Sequence, residues 1–265
     1  MRISLITVCY NSVSTILDTL KSALSQKGVE LEYIVVDGAS KDGTVDVIKG
    51  FDTDLKTMDP VPNFSFKWIS EPDRGLYDAI NKGIGLATGD IVGILNADDV
   101  FESQEVLSHV ARAFDENLED DGARPDAIYG DIRFVNELGG RTVRYCRGKW
   151  FKPWMFRFAV MIPHPSFYCR RELFDKFGAY SLDYRICADF ELVMRYMWTH
   201  QIRTKYLNEC MVIMRTGGAS TAGIRSSILI NKEDLKALKR NGYWSSLWLI
   251  YLKYIFKIWG FLIRF

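Results

Sequence analysis

The stretch Asp-Ile-Val-Gly-Ile-Leu-Asn-Ala-Asp-Asp, residues 90–99, decides the fold class of this chain. Residues 90–95 form a short and almost wholly apolar run, which is typical of a β-strand buried on both faces of a sheet. The run ends at Asn96, and the carboxylates of Asp98 and Asp99 follow directly. Because ligands of open parallel sheets bind beyond the carboxyl ends of the strands, the stretch predicts a buried strand with a functional site at its end.

Strand and helix patterns alternate before this stretch, which predicts βαβ units and therefore an α/β fold with a mostly parallel central sheet flanked by helices. The polar residues that follow the strands should then share one edge of the sheet. Beyond residue 100, a Gly139-Gly140 turn joins two more strand patterns. The predicted strands are residues 3–9, 33–36, 66–69, 90–95, 127–135 and 141–147. One predicted helix begins near residue 14, and the others are residues 45–49, 77–87, 173–177 and 190–198.

Composition limits the class of protein. The 265 residues are 48% apolar and 25% charged, with a formal charge of +1, which suits a globular protein and argues against a nucleic-acid binder. The five cysteines are scattered without a Cys-x-x-Cys pair, a pattern typical of a reduced, cytoplasmic protein. The first apolar run ends at Asn11, too early for a secretory signal, so we expect cytoplasmic localisation.

The adjacent carboxylates of Asp98 and Asp99 are the strongest chemical signal. Two like charges at a strand end repel each other unless a cation lies beside them, and Mg²⁺ or Mn²⁺ binds carboxylate and phosphate oxygens together. A solvated turn that caps a helix near Glu102 is the alternative.

Two further segments carry polar groups at predicted strand ends. In residues 71–83, Arg74 can clamp a diphosphate, and Asp78 and Asn81 share one helix face. An ordinary capped helix is the alternative there. In residues 35–44, Asp37 can accept a hydrogen bond from an imide or a ribose hydroxyl, although Asp-Gly turns are common.

Four ordered motifs resemble the family-2 glycosyltransferases of the GT-A fold, inverting enzymes that use nucleoside-diphosphate sugars. The motifs are residues 7–11 (TVCYN), 36–44 (VDGASKDGT), 73–83 (DRGLYDAINKG) and 96–99 (NADD), and the likeness covers about residues 1–220. The resemblance implies a divalent metal, Mg²⁺ or Mn²⁺, bound by Asp98 with support from Asp99. The residues expected to contact the nucleotide sugar are Thr7, Tyr10, Asn11, Asp37, Arg74, Asp78, Asn81, Asn96 and Ala97.

The chain departs from the family pattern at two positions. Asn96 stands where the family has the first acid of its Asp-x-Asp motif, and Gly38 stands where a second acid often contacts uracil. A nucleoside-diphosphate sugar, with UDP as the expected nucleotide, remains the predicted donor.

The second half of the chain supplies the expected acceptor side. The resemblance matches Asp189, in the segment ICADFE, to the general base that inversion requires, with Glu191 as the runner-up. His164 and Arg215 are candidate contacts to the acceptor or the diphosphate. Residues 215–221 contain Gly217-Gly218 and suit a segment that closes over the donor, or a plain surface loop.

The C-terminal segment differs in composition from the rest. We expect a catalytic domain over residues 1–224, with a nucleotide-binding half (1–100) and an acceptor half (101–224), followed by a basic, aromatic, amphipathic helical tail (225–265). The tail holds eight basic and two acidic residues, and residues 243–265 contain nine aromatics. This pattern favours a helix lying at a membrane interface through residues 236–265. Packing on the catalytic domain or on a second subunit is the alternative.

The expected activity is therefore transfer of a sugar from a nucleotide-sugar donor to a hydroxyl of a glycan or lipid-linked acceptor in cell-surface polysaccharide biosynthesis, at the inner face of the cytoplasmic membrane. A nucleotidyltransferase is one alternative, but it would normally carry a glycine-rich, basic loop after the first strand, and residues 7–15 have neither glycine nor a basic residue. A non-catalytic membrane-associated scaffold of the same fold is the other.

Overall fold

The computed structural model describes residues 1–118, 122–217 and 224–254. The chain forms a mixed α/β fold around one central sheet. The strands are β1 Arg2–Cys9, β2 Glu30–Asp37, β3 Phe64–Ser70, β4 Ile91–Ile94, β5 Val100–Phe101, β6 Ala127–Val135, β7 Thr142–Cys146, β8 Tyr168–Arg170 and β9 Thr204–Arg215. The helices are α1 Ile16–Leu24, α2 Thr44–Thr57, α3 Leu76–Leu86, α4 Val106–Asp115, α5 Glu172–Phe177, α6 Ala188–Met194, α7 Ile224–Arg240 and α8 Leu247–Tyr251.

The first four strands form the parallel half of the sheet, as the alternating pattern predicted. Their order is β3-β2-β1-β4, and every neighbouring pair among them is parallel. In the register, Cys9 lies beside Asp37, and Asp37 lies beside Ser70. The carboxyl ends of these strands therefore meet at one edge, which we call the strand-end edge.

The rest of the sheet is mixed, so the parallel arrangement holds for β1–β4 and not throughout. Strand β8 runs antiparallel to β4 and to β6, while β6 pairs in parallel with β9. Strands β7 and β5 add antiparallel pairs to β6 and β9. This half brings the end of β9 and the residues before α6 toward the nucleotide-binding half that the sequence predicted.

Burial on both faces explains the apolar strand pattern. Alternate side chains of β1 enter different clusters: Ile6 and Val8 pack on the face covered by α3, α6 and α7, while Ile3 and Leu5 pack on the face covered by α1, α2 and α4. Gly93 of β4 is required for this packing, because a Cβ there would lie 2.1 Å from the Tyr168 ring.

The described part of the C-terminal segment packs into the same core. Ala237, Leu238 and Ile250 are fully buried, and Lys253 forms a 2.7 Å ion pair with Asp234 in which both side chains are about 5% exposed or less. Lys253 lies within the segment 236–265 predicted to contact a membrane, but its ammonium faces a buried carboxylate instead of the surface. Residues 255–265, which carry the rest of the predicted membrane helix, lie outside the described residues. In the part of the chain that is described, no helix is both long and apolar enough to span a bilayer.

Candidate active site

Asp37 is at the centre of the strand-end edge, but its carboxylate is engaged within the chain. It is fully buried and accepts hydrogen bonds from the Ser40 backbone N–H (3.0 Å), the Ser40 hydroxyl and the Ser70 hydroxyl (2.6 Å). These bonds fix the loop that begins at Gly38. In this structure Asp37 therefore shapes the expected nucleotide pocket, and its oxygens already have donors.

Gly38 leaves space that a second acid fills from another loop. A Cβ at Gly38 would lie 2.5 Å from Oδ2 of Asp73 and 3.3 Å from the ring of Tyr10. Tyr10 is 64% exposed, so an aromatic face and a carboxylate border the same glycine. The carboxylate that the sequence lacks at position 38 is thus supplied nearby by Asp73, a residue that our sequence reasoning did not single out.

Thr7 and Asn11 serve the fold in this structure. Thr7 is fully buried, and its hydroxyl accepts a 3.0 Å hydrogen bond from Tyr33. Asn11 has a positive φ of 50°, donates its N–H to the Ser40 hydroxyl (2.7 Å) and accepts from the Lys41 N–H (3.0 Å). The expectation that Thr7 contacts the donor is wrong, because its side chain has no exposed surface. The Asn11 amide oxygen holds the 38–41 loop, while the residue itself is exposed, so its contact to the donor stays a prediction.

The start of α3 also satisfies its own polar groups. Arg74 forms a 2.9 Å ion pair with Asp78 and is 76% exposed, so its guanidinium lies at the surface. Asn81 exchanges two hydrogen bonds with the backbone of Tyr180 (2.8 and 3.0 Å), which ties α3 to the segment before α6. Asn81 is thus a structural residue here, contrary to the prediction, and Asp78 holds Arg74.

The acidic pair after β4 lies at the same edge and is partly desolvated. Burial, together with repulsion from Asp98, raises the pKa of Asp99 to about 8, and burial also raises the pKa of Asp98. Asn96 donates a 2.8 Å hydrogen bond to Oδ2 of Asp99. The amide at position 96 therefore supplies a donor where a third carboxylate would add repulsion. Ala97, which stands between Asn96 and Asp98 in the sequence, is buried.

The residues after β4 fit a divalent cation. Oδ1 of Asp99 is buried without a hydrogen-bond partner among the described residues, and Asp98 is only half-buried at the edge. Orphaned carboxylate oxygens of this kind suit a hard cation. In residues 1–118, 122–217 and 224–254 no group of three or more His, Cys, Asp or Glu is arranged to hold a metal, so any further ligands would come from water or a phosphate.

Arg215 brings a positive charge to this acidic pair. It ends β9, forms an ion pair with Asp18 of α1, and its proximity lowers the pKa values of Asp98 and Asp99 against the effect of burial. The predicted contact of Arg215 to the acceptor or the diphosphate stays a prediction. Residues 218–221 of the predicted closing segment lie outside the described residues.

Asp189 reaches the strand-end edge through α3. The hydroxyl of Tyr77, in the first turn of α3, lies 3.1 Å from Oδ1 of Asp189 and also bonds to the Ile186 carbonyl. Asp189 is half-buried, and Oδ1 also accepts the Phe190 N–H at 2.8 Å. Its second oxygen is the group with which it can accept a proton. Tyr77 was not among our candidates; its position three residues after Arg74 in a motif at the strand-end edge was the available signal.

Glu191 and His164 have different surroundings. Glu191 is 6% exposed and is held by Arg195 through two contacts of 2.9 and 3.1 Å, so it serves the packing of α6 and is excluded as the runner-up base.

His164 lies 2.8 Å from the Tyr180 hydroxyl. Burial lowers the pKa of His164, while the charge of Asp189 opposes the shift. A neutral imidazole therefore lies near Asp189 in the candidate site.

Fold and site together define a glycosyltransferase of the GT-A type. The chain belongs to glycosyl transferase family 2, whose family model matches residues 4–178. It is 29% identical over 237 residues to a PGL/p-HBAD biosynthesis glycosyltransferase of Mycobacterium bovis, covering 89% of this chain and 83% of the relative.

Two groups of solved structures share the fold. The crystal structure of Staphylococcus aureus TarS in complex with UDP-GlcNAc aligns with a TM-score of 0.62 at 20% identity over 89% of this chain. In two TarS structures this chain spans 65% and 67% of the solved chain. The mannosyltransferase PcManGT of Pyrobaculum calidifontis, in complex with GDP-Man and Mn²⁺, aligns with a TM-score of 0.61 at 17% identity, covering 98% of this chain and 72% of that one.

Proposed function

We propose that this protein transfers a sugar from a UDP-sugar to a hydroxyl of a glycan or lipid-linked acceptor with inversion at the anomeric carbon. The observation that carries the proposal is the position of Asp189. Tyr77 of α3 holds this half-buried carboxylate at the edge where the Asp98 and Asp99 pair follows β4. A base on one side and an acidic, cation-compatible pair on the other are what an inverting displacement needs.

The roles follow from the contacts. Asp189 accepts the proton of the acceptor hydroxyl while the oxygen of that hydroxyl attacks the anomeric carbon. The bond between the anomeric carbon and the diphosphate oxygen breaks, and its electron pair leaves with the diphosphate. Tyr77 fixes Oδ1 of Asp189, which leaves the other oxygen for the proton. Arg215 stabilises negative charge on the leaving diphosphate. Asp98, supported by Asp99, would hold Mg²⁺ or Mn²⁺, and such a cation supplies Lewis-acid neutralisation of the diphosphate.

The donor side of the proposal rests on Tyr10, Gly38 and Asp73. An exposed aromatic ring can stack on a base, and a carboxylate beside it can accept an imide N–H such as that of uracil. Guanine presents an N–H of similar chemistry, and among the structural neighbours TarS carries UDP-GlcNAc and PcManGT carries GDP-Man. The Asp73 carboxylate does not distinguish the two bases, so the donor panel includes both.

The first test is turnover with a donor panel. We expect UDP-sugars with Mn²⁺ to raise the melting temperature and to release UDP slowly without acceptor and faster with a polyprenyl-linked glycan. NMR of the product should show the anomeric configuration opposite to that of the donor. Release of pyrophosphate from a nucleoside triphosphate and a sugar 1-phosphate would instead favour a nucleotidyltransferase, and the absence of a thermal shift with every nucleotide sugar would favour a scaffold.

We also propose peripheral contact with an anionic membrane surface. Trp244 and Trp248 are 71% and 84% exposed, and the Ser245 hydroxyl bonds to the Arg157 carbonyl (2.7 Å), which joins this segment to the turn bearing the exposed Trp154. The basic face of α7, a helix that ends at Arg240 shortly before Trp244 in the sequence, adds positive charge, and its exposed members line a shallow depression. Exposed tryptophans beside lysines suit a headgroup layer. The residues of that face are Lys232, Lys236, Lys239 and Arg240.

Vesicle binding tests this contact. Replacing Trp244 and Trp248 together by Ser should weaken binding to phosphatidylglycerol vesicles by about tenfold or more, because two large apolar side chains no longer leave water. Met58→Ser, at an exposed site beyond α2, is the matched control and should leave binding unchanged. Equal binding of the wild type to neutral phosphatidylcholine vesicles, or no loss in the double variant, would contradict the proposal.

A further inference from the structure

Glu233 of α7 holds the backbone that leads into the helix of Asp189. One of its oxygens accepts the N–H of Arg185 (2.9 Å), and the other accepts the N–H groups of Ile186 (2.9 Å) and Cys187 (3.1 Å). The Glu233 side chain is largely buried, with the residue 9% exposed. Three consecutive amides thus converge on one carboxylate that is 46 to 48 residues away in sequence.

Glu233 accepts hydrogen bonds from the N-cap residue of α6 and from the two residues before it. Helix α6 begins at Ala188, and no side chain of its N-cap residue, Cys187, accepts a hydrogen bond from its first turn. Backbone N–H groups before and at the start of a helix need acceptors, and a carboxylate can accept several bonds at once. Glu233 therefore fixes the conformation of residues 185–187, immediately before Asp189.

Helix α3 holds the opposite side of residues 185–187. The Tyr77 hydroxyl contacts both the Ile186 carbonyl and Oδ1 of Asp189. The peptide units of residues 185–187 are thus fixed by Glu233 at their N–H groups and by Tyr77 at a carbonyl. A shift of this segment would move the Asp189 carboxylate relative to α3.

Helix α7 is itself rigidly attached, so it can serve as a support. The buried Asp234–Lys253 pair joins it to the residues after α8. The Lys236 ammonium donates to the Asp183 carbonyl at 2.9 Å. The segment before Asp189 is consequently anchored to the C-terminal helices, which the sequence patterning set apart from the catalytic region.

We infer that Glu233 is a positioning residue for the transfer reaction and sets the place of the Asp189 carboxylate through the three backbone N–H groups. The inference rests on the proposed role of Asp189 as general base. It gives the C-terminal helices a part in catalysis that does not depend on any membrane contact. Because a base displaced by about 1 Å can cost up to about a hundredfold in rate, the expected effect is on turnover and not on donor affinity.

The test is Glu233→Gln, which keeps the size of the side chain but presents an amide NH₂ to one of the backbone donors. We expect kcat for transfer to fall by about tenfold or more, with the donor KM and the dissociation constant of UDP within about twofold of wild type. Hydrogen exchange should become faster at the amides of residues 185–187. Glu233→Asp, which restores a carboxylate, should recover part of kcat.

Asn231→Ser is the matched control. Asn231 is a buried residue of the same helix that contacts Tyr254 and not residues 185–187, so its replacement should lower the melting temperature while kcat stays within about twofold. Equal loss of kcat in Asn231→Ser and Glu233→Gln, or unchanged kcat in Glu233→Gln, would overturn the inference.

A double-mutant comparison separates this inference from the proposed function. If Glu233 acts through Asp189, then Glu233→Gln should change the residual rate of an Asp189→Asn enzyme by less than about twofold. A full tenfold loss in that background would overturn the inference. Undiminished activity of Asp189→Asn alone would instead show that the proposed base, and with it the proposed mechanism, is wrong.

Discussion

Replacing Asp189 by Asn is expected to lower kcat for sugar transfer by about a thousandfold, since general-base assistance contributes roughly a hundredfold to ten-thousandfold. Asn keeps the size of the side chain and an oxygen that can accept from Tyr77 and from the Phe190 N–H, so the fold and the donor site should persist. The measurement is steady-state transfer together with nucleotide binding by calorimetry. We expect the affinity for UDP to stay within about twofold of wild type.

Glu191→Gln is the control for this prediction, because Glu191 is the neighbouring carboxylate of the same helix. Its change weakens a buried ion pair with Arg195 and should cost stability, seen as a lower melting temperature, more than turnover. If Glu191→Gln abolished transfer while Asp189→Asn retained it, the assignment of the base would be reversed.

The parallel half of the fold was predictable because its signal is local. Runs such as Ile3–Cys9 are apolar at every position but Ser4 and Thr7, and burial of both faces of β1 is the physical cause. The ends of these strands then had to meet at one edge. The position of Asp98 at that edge, after β4, follows from the same argument.

The mixed half was less predictable because its pairing is not local. Strand β8 has three residues, and β9 pairs with β6 through register shifts between Tyr129 and Ile132, which break the alternation that marks a strand. The sequence analysis also missed helix α4, although its pattern was local: Val106, Val110 and Phe114 recur at helical spacing.

The candidate site shows what a motif does not encode. Thr7, Asn11 and Asn81 belong to motifs at the expected edge, yet each uses its polar group on a partner distant in sequence. Conversely, Glu233 belongs to no motif of the site and acts on the backbone next to Asp189. Which polar side chain faces the ligand depends on long-range contacts that are formed only in the folded chain.

Stability measurements should reveal the strain in the acidic pair. Burial raises the pKa values of Asp98 and Asp99, and repulsion from Asp98 adds to the shift of Asp99, whose pKa rises from 3.8 to about 8, so the folded state binds protons more tightly than the unfolded state. The free energy of unfolding of the metal-free protein should then fall as pH rises from about 4 to about 8. Divalent cations that bind the pair should restore the lost stability at the upper end of this range.

Replacing Asp98 by Asn should lower the activity without lowering the stability of the fold. We expect turnover to fall by at least about a hundredfold, because Asn is neutral and would bind a cation beside the diphosphate less tightly than the Asp98 carboxylate does. The melting temperature of the metal-free protein at pH 8 should stay equal or rise, because the substitution removes the charge that repels Asp99. Asp175→Asn, at a site whose side chain is 80% exposed on α5, is the control for loss of one charge and should change neither quantity. Full turnover of Asp98→Asn, or of the wild type in EDTA, would remove the cation from the mechanism and leave Arg215 as the charge facing the diphosphate.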